Sequence, residues 1–135
     1  MAGFEIIEHT ADVGVLASGS TLEECFEQAT RGLLDITGAW APGDGERTEI
    51  RVEGRDLGSV LVDWLSEVLY LQDARDAVIT DIGVEQVSDN SATGWVGLTP
   101  RTSELSGTAV KAITYHQLSV DRTAEGWTTR LIVDV

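Results

Sequence analysis

The chain has 135 residues, 23 of them Asp or Glu against 9 Lys or Arg, for a formal net charge of -14. The length suits one domain spanning residues 1–135, and 42% hydrophobic residues are enough for a core, so the charge does not signal disorder. Eight Arg and a single Lys, Lys111, argue against an autonomous electrostatic grip on nucleic-acid phosphates or on an anionic membrane.

In chain order, Phe4 to His9 and Val13 to Ser18 read as two short strands joined through His9-Thr10-Ala11-Asp12. Thr21-Leu22-Glu23-Glu24 has capping-box spacing. Leu22, Cys25, Phe26, Ala29 and Leu33 then follow at helical spacing, which predicts a first helix to about Asp35. Thr37 to Arg47 carries Gly and Pro without periodicity and reads as a loop. Ile50 and Val52 suggest a strand. Asp56 is an N-cap for the clearest element, with Leu57, Val60, Leu61, Trp64, Leu65, Val68 and Leu69 in one apolar stripe. The period then changes to two. Ala77 to Val87 and Thr93 to Thr99 predict a hairpin across Ser88-Asp89-Asn90-Ser91. Val110 to Val120 and Trp127 to Val133 predict a second hairpin across Arg122 to Gly126. Helices and strands do not alternate regularly and the late strands are joined by tight turns. The expected fold class is α+β: a single two-layer domain, an antiparallel or mixed sheet with two helices on one face.

Cys25 is alone, which excludes an internal disulfide and a cysteine-rich zinc site, and its helical spacing favours a buried small hydrophobe over a nucleophile. MAGFEIIEHT has no signal-peptide pattern and no segment is long and apolar enough for a membrane span, so a cytoplasmic protein is expected. Phosphate-loop, nucleophile-elbow, metalloprotease-helix and dinucleotide signatures are all missing.

Three local sequences carry possible chemistry. Glu8 to Gly14 reads EHTADVG and packs Glu8, His9 and Asp12 into a strand-to-strand turn. Its carboxylates suit a hard divalent cation, while the structural alternative is an Asx-type turn in which Asp12 caps local amides. The C-terminal LIVDV sets Asp134 beside the Val135 carboxylate, so three carboxylates converge if the fold brings Asp12 there. KAITYH, Lys111 to His116, reads as a strand with Lys111, Ile113 and Tyr115 on one face and Ala112, Thr114 and a half-buried His116 on the other. On the second helix Asp63 and Glu67 share a face with Tyr70; a solvated helix face is the plain reading, a partner-docking or metal-linked role the sharper one.

Taken together, EHTADVG, TLEECFEQATRGLLDI, DLGSVLVDWLSEVLYLQD, TAVKAITYHQLSV and LIVDV resemble the archease family, in order, from Glu8 to Val135. The resemblance implies a compact α+β domain and a non-enzymatic accessory factor. Its partner would be the GTP- and manganese-dependent tRNA-splicing RNA ligase. That ligase joins 2′,3′-cyclic-phosphate or 3′-phosphate ends to 5′-hydroxyl ends. Archeases promote guanylylation of the ligase histidine, support multiple turnovers and broaden its nucleotide use. The resemblance further implies a divalent cation (calcium, or manganese or magnesium in function) held by Asp12, Asp134 and Val135. Asp63 falls in the family's helix motif, and Lys111 and His116 in its strand motif. The chain departs at Ser66, where the family often has Asn, and at Gln72, where His is common. Two alternatives remain open on the residues: a metal-dependent phosphoester hydrolase with His9 or His116 as base, and a metal-independent chaperone-like module.

Overall fold

The structure, a computed structural model, describes residues 2–9 and 12–135, with His9 and Asp12 described through their backbone alone. The Thr10-Ala11 link of the first hairpin, and the Asx-turn reading of Asp12, lie outside the described residues.

The first hairpin pairs β1 (Gly3–His9) with β2 (Asp12–Gly19). Helix α1 (Leu22–Thr37) follows. Its start is set by Thr21, whose hydroxyl accepts the Glu24 N–H at 3.1 Å, while the Glu24 carboxylate reaches back to accept the Ser20 N–H at 2.7 Å. Its end is set by Gly38 at φ 79°, a left-handed position that glycine adopts without strain. Strand β3 (Glu46–Glu53) leads to α2 (Leu57–Ala74). There Asp56 and Ser59 cap each other, Ser59 N–H donating to Asp56 Oδ1 at 2.8 Å and Asp56 N–H to Ser59 Oγ at 3.2 Å. The remaining strands are β4 (Ala77–Val87), β5 (Ser91–Pro100), β6 (Ala112–Ile113), β7 (Ser119–Thr123) and β8 (Gly126–Asp134).

The α+β class is as expected, and every strand-to-strand pairing is antiparallel. The strands divide into two sheets. One runs β1-β2-β8-β6, with β7 also on β8, and the other runs β3-β5-β4. Helix α1 touches β1, β2 and β8 of the first sheet and β4 of the second; α2 touches all of the second sheet and β6 and β7 of the first. One buried cluster joins both helices to both sheets. The reason lies in α2. Beyond its apolar stripe, Val62 and Leu71 are also buried, so a single sheet would leave one flank of the helix uncovered.

Trp64 ties this core together. It is fully buried, its indole N–H donates to Thr30 Oγ1 on α1 at 3.0 Å, and Thr30 in turn donates to the Phe26 carbonyl at 2.7 Å. On its other side the ring fills the space where Gly94 of β5 has no side chain: a Cβ there would stand 2.9 Å from the indole.

The predicted strand Val110–Val120 is interrupted. Only Ala112 and Ile113 pair with the end of β8, and pairing resumes at Ser119. Had the strand continued evenly, Ser119 would face Trp127; it faces Arg130 instead. Thr114 causes the break. Its hydroxyl donates to the Ile132 carbonyl at 2.8 Å and accepts the His116 N–H at 3.2 Å, so the chain turns out of the ladder. The Leu118 N–H then closes a turn on Tyr115, through Gln117 at φ 54°.

Candidate metal centre at one end of the first sheet

The ladders of the first sheet run out at a common end. His9 pairs with Asp12, and Val13 pairs with Val133, so Asp12 comes next to Asp134 at the following step. On the far side of β8, Ala112 pairs with Asp134. His9, Asp12, Asp134 and Ala112 thus form one row across four strands. Residues opposite each other in such a row have Cβ atoms about 5 Å apart. Gly14 holds this row close: a Cβ there would meet the Leu131 carbonyl oxygen and the Ile132 and Ile7 side chains, which pack around it.

The neighbouring strand fixes the rest. The Lys111 N–H donates to the Asp134 carbonyl at 2.7 Å, which brings the backbone of Lys111 to the end of β8, next to the C-terminal Val135. Lys111 and Asp134 are exposed, and Val135 is 38% exposed. Glu8, also exposed, pairs with Val13 one step behind the row. The fold therefore gathers Glu8, His9, Asp12, Lys111, Asp134 and Val135 from three separate stretches of chain.

It does not bring the other candidates into that row. His116 is exposed in the turn from Tyr115 to Leu118, not half-buried on a strand, because Thr114 has diverted the backbone. Asp63 and Glu67 lie on the partly exposed side of α2 with Ser66 and with Tyr70, which is 63% exposed. Helix α2 does contact β6, yet among the described residues no hydrogen bond or ion pair links Asp63 or Glu67 to the row. Sequence reasoning passed over Thr114, whose only signal was a hydroxyl within an otherwise alternating apolar run.

The donor set fits a hard cation in its chemistry. Carboxylate oxygens are the ligands a divalent ion prefers, and Asp12, Asp134 and the terminal carboxylate of Val135 are carboxylate-bearing residues. Among residues whose side chains are described, no group of three or more His, Cys, Asp or Glu is placed to hold a metal; Asp12 and His9 fall outside that set.

Cys25 is excluded as a reactive centre. It is fully buried, and burial, with Glu24 adding in the same direction, pushes its thiol up from 9.0 to about 11. The unfolded chain releases this proton near 9.0 and the folded chain only near about 11, so stability falls as pH rises through that window. A thiol reagent at mildly alkaline pH is expected to label Cys25 only after denaturant is added; prompt labelling of the native chain would contradict the burial.

Comparison with known proteins bears on the whole chain. The model of the Archease protein family matches residues 4–135. "Protein archease" of Methanosarcina acetivorans is 34% identical over 139 residues, covering 98% of this chain and 95% of that protein. Its counterpart in Pyrococcus furiosus is 36% identical over 144 residues and covers both chains fully, at 100%. The solution structure of Methanobacterium thermoautotrophicum protein 1598 superposes with a TM-score of 0.71 at 29% identity, covering 98% of this chain and 99% of that one. A crystal structure from Thermotoga maritima, described as an archease and possible chaperone, shares the fold with a TM-score of 0.66 at 24% identity, covering 97% and 96%. Among the described residues no helix is long and apolar enough to cross a membrane.

Proposed function

The chain belongs to the archease family, and from that premise we propose that it is a cytoplasmic, non-enzymatic activator of the GTP- and metal-dependent tRNA-splicing RNA ligase. It promotes guanylylation of the ligase and thereby its multiple turnover. The observation that carries the reading is the convergence of Asp12, Asp134, Val135 and Lys111 at one end of the first sheet. Asp12, Asp134 and the Val135 carboxylate would hold a divalent cation. When bound, such an ion supplies positive charge for the phosphate oxygens of a nucleotide.

The chain's own residues do the remaining work. The β2–β8 ladder brings the backbones of the two aspartates together, and the bond from Lys111 N–H to the Asp134 carbonyl brings the backbone of the only Lys of the protein to the same end of the sheet. Lys111 differs from the eight Arg in presenting a compact charge rather than a planar fork, which suits a phosphate approached from one side. The net charge of -14 attracts a basic RNA-binding enzyme and speeds encounter, an effect that added salt weakens. Recognition of RNA itself is left to the ligase.

A multiple-turnover ligation assay tests this reading. With the cognate ligase, GTP and manganese, adding the chain is expected to raise product well beyond one equivalent of ligase. A yield that stays at a single turnover with the chain present would refute it. Phosphatase or nuclease activity in the pure protein with manganese would favour the hydrolase alternative instead.

A further inference from the structure

The second sheet has two outer strands, and the chain treats them differently. Strand β4 has N–H groups satisfied from outside its ladder: Ile79 donates to the Ala39 carbonyl at 2.7 Å, Ile82 to Asp81 Oδ1 at 2.9 Å, Val84 to Glu27 Oε2 at 2.9 Å and Val87 to Glu23 Oε2 at 2.8 Å. Strand β3, at the other edge, touches only β5 and α2 among the described helices and strands. Among the described residues no hydrogen bond reaches its backbone from anything but β5. Arg75 meets only side chains there, Thr48 Oγ1 at 3.4 Å and Glu46 Oε1 at 4.0 Å. An edge left open in this way is a template for another strand.

The side chains of β3 select the strand that fits. Ile50 points into the core, so Thr48 and Val52 share its face, while Arg47, Glu49, Arg51 and Glu53 share the exposed one. Arg47 is held on that face by Trp95, its guanidinium 3.6 Å from the ring centroid. None of these four charges makes an ion pair within the chain among the described residues. Their signs alternate along the strand.

In an antiparallel pairing of two copies about Ile50, Arg47 faces Glu53 of the partner copy and Glu49 faces its Arg51, each contact occurring twice. On the other face Ile50 meets Ile50, and the half-buried Thr48 and Val52 cover each other. A shift by one residue turns the apolar face outward. A shift by two sets like charges opposite: Arg47 on Arg51 and Glu49 on Glu49 in one direction, Arg51 on Arg51 and Glu49 on Glu53 in the other. The Ile50 register alone pairs all four charges.

We propose that β3 is the surface on which a second copy of this chain docks, antiparallel about Ile50, so that the second sheets of the two copies become one continuous sheet. The surface is on the second sheet, apart from the aspartate row of the first, and the inference does not depend on the ligase reading. Residues 47–53 are far fewer than the about 20–30 residues a side of a standard interface, so the dimer is weak and concentration-dependent. The net charge of -14 on each copy opposes association. At ~0.15 M salt the screening length is about 8 Å, longer than the ~5 Å between facing Cβ atoms. Salt at that level weakens the long-range repulsion more than the facing pairs.

Sedimentation equilibrium of the whole chain at ~0.15 M salt, from about 10 μM to 1 mM, is expected to show monomer and dimer in exchange. Two exposed substitutions test the register. Arg51→Glu sets glutamates opposite each other, and Glu49→Arg sets arginines opposite each other. Each alone should raise the dissociation constant about tenfold or more. An equimolar mixture of the two variants restores opposite charges at both places and should restore dimers. General repulsion predicts the reverse for Glu49→Arg, which makes the chain less acidic. Hydrogen exchange of β3 amides should slow at the higher concentration in the wild-type chain and in neither variant alone. A chain that stays monomeric throughout, dimers that both variants leave unchanged, a mixture no tighter than its components, or protection confined to another strand would overturn the proposal. Tighter self-association of Arg51→Glu would place the pairing about Glu49 and overturn the Ile50 register.

Discussion

Replacing Asp134 with Ala is expected to abolish the stabilisation that calcium or manganese gives the wild-type chain. At a hundred times the dissociation constant, a ligand bound only to the folded state contributes about 2.7 kcal/mol. For a domain of this size that is a rise of about 8 °C in melting temperature. The variant should show almost none of it. Its melting temperature without metal should stay close to the wild-type value, because the bond from Lys111 uses the Asp134 backbone carbonyl, which the substitution keeps. Thermal melts with and without the ion measure both quantities. A metal-dependent rise undiminished in Asp134→Ala would mean that the row of β2 and β8 does not hold the cation, and would favour the metal-independent chaperone-like reading.

The second large effect is structural. Trp64→Ala should destabilise the chain by about 3–5 kcal/mol, a large share of the 5–15 kcal/mol typical of a whole domain. The indole is fully buried, fills the gap over Gly94, and donates to Thr30. Its loss leaves a cavity between α2 and the second sheet and removes the Trp64–Thr30 hydrogen bond between the helices. Trp64→Phe should cost less, because most of the apolar volume remains while the Thr30 oxygen loses its donor. Urea unfolding gives both values. A loss below about 1 kcal/mol for Trp64→Ala would contradict a core organised on this residue.

These two effects differ in how far the sequence announced them. Both helices were legible because Thr21 and Asp56 are strong N-caps and the apolar spacing after each is unambiguous. The hairpins of β1–β2 and β4–β5 were legible from alternation and turn residues. The division into two sheets was not. Its signal was the burial of Val62 and Leu71 off the main stripe of α2, and a residue is assigned to a second apolar flank only when something is seen to cover it. The KAITYH segment misled for a local reason: its alternation suits a strand, but the Thr114 hydroxyl joins the Thr114 N–H on the Ile132 carbonyl and accepts the His116 N–H, and the chain turns there. Of the site, the residue types were readable and their meeting was not. Asp12 and Asp134 stand at opposite ends of the sequence, and only the antiparallel register of β2 on β8 makes them neighbours. The buried Thr37–Gln72 pair had no sequence signature, since nothing in composition or spacing couples the ends of two helices.

The measurement closest to the central claim is transfer of guanylate from GTP to the ligase histidine after the first round of ligation, with either wild-type chain or Asp134→Asn added in equal amount. Asn keeps the volume and the backbone register of Asp while removing the charge. The wild-type chain should restore guanylylation and the variant should not, while both remain folded. Equal restoration by the two proteins would contradict activation through the carboxylates at the end of the first sheet.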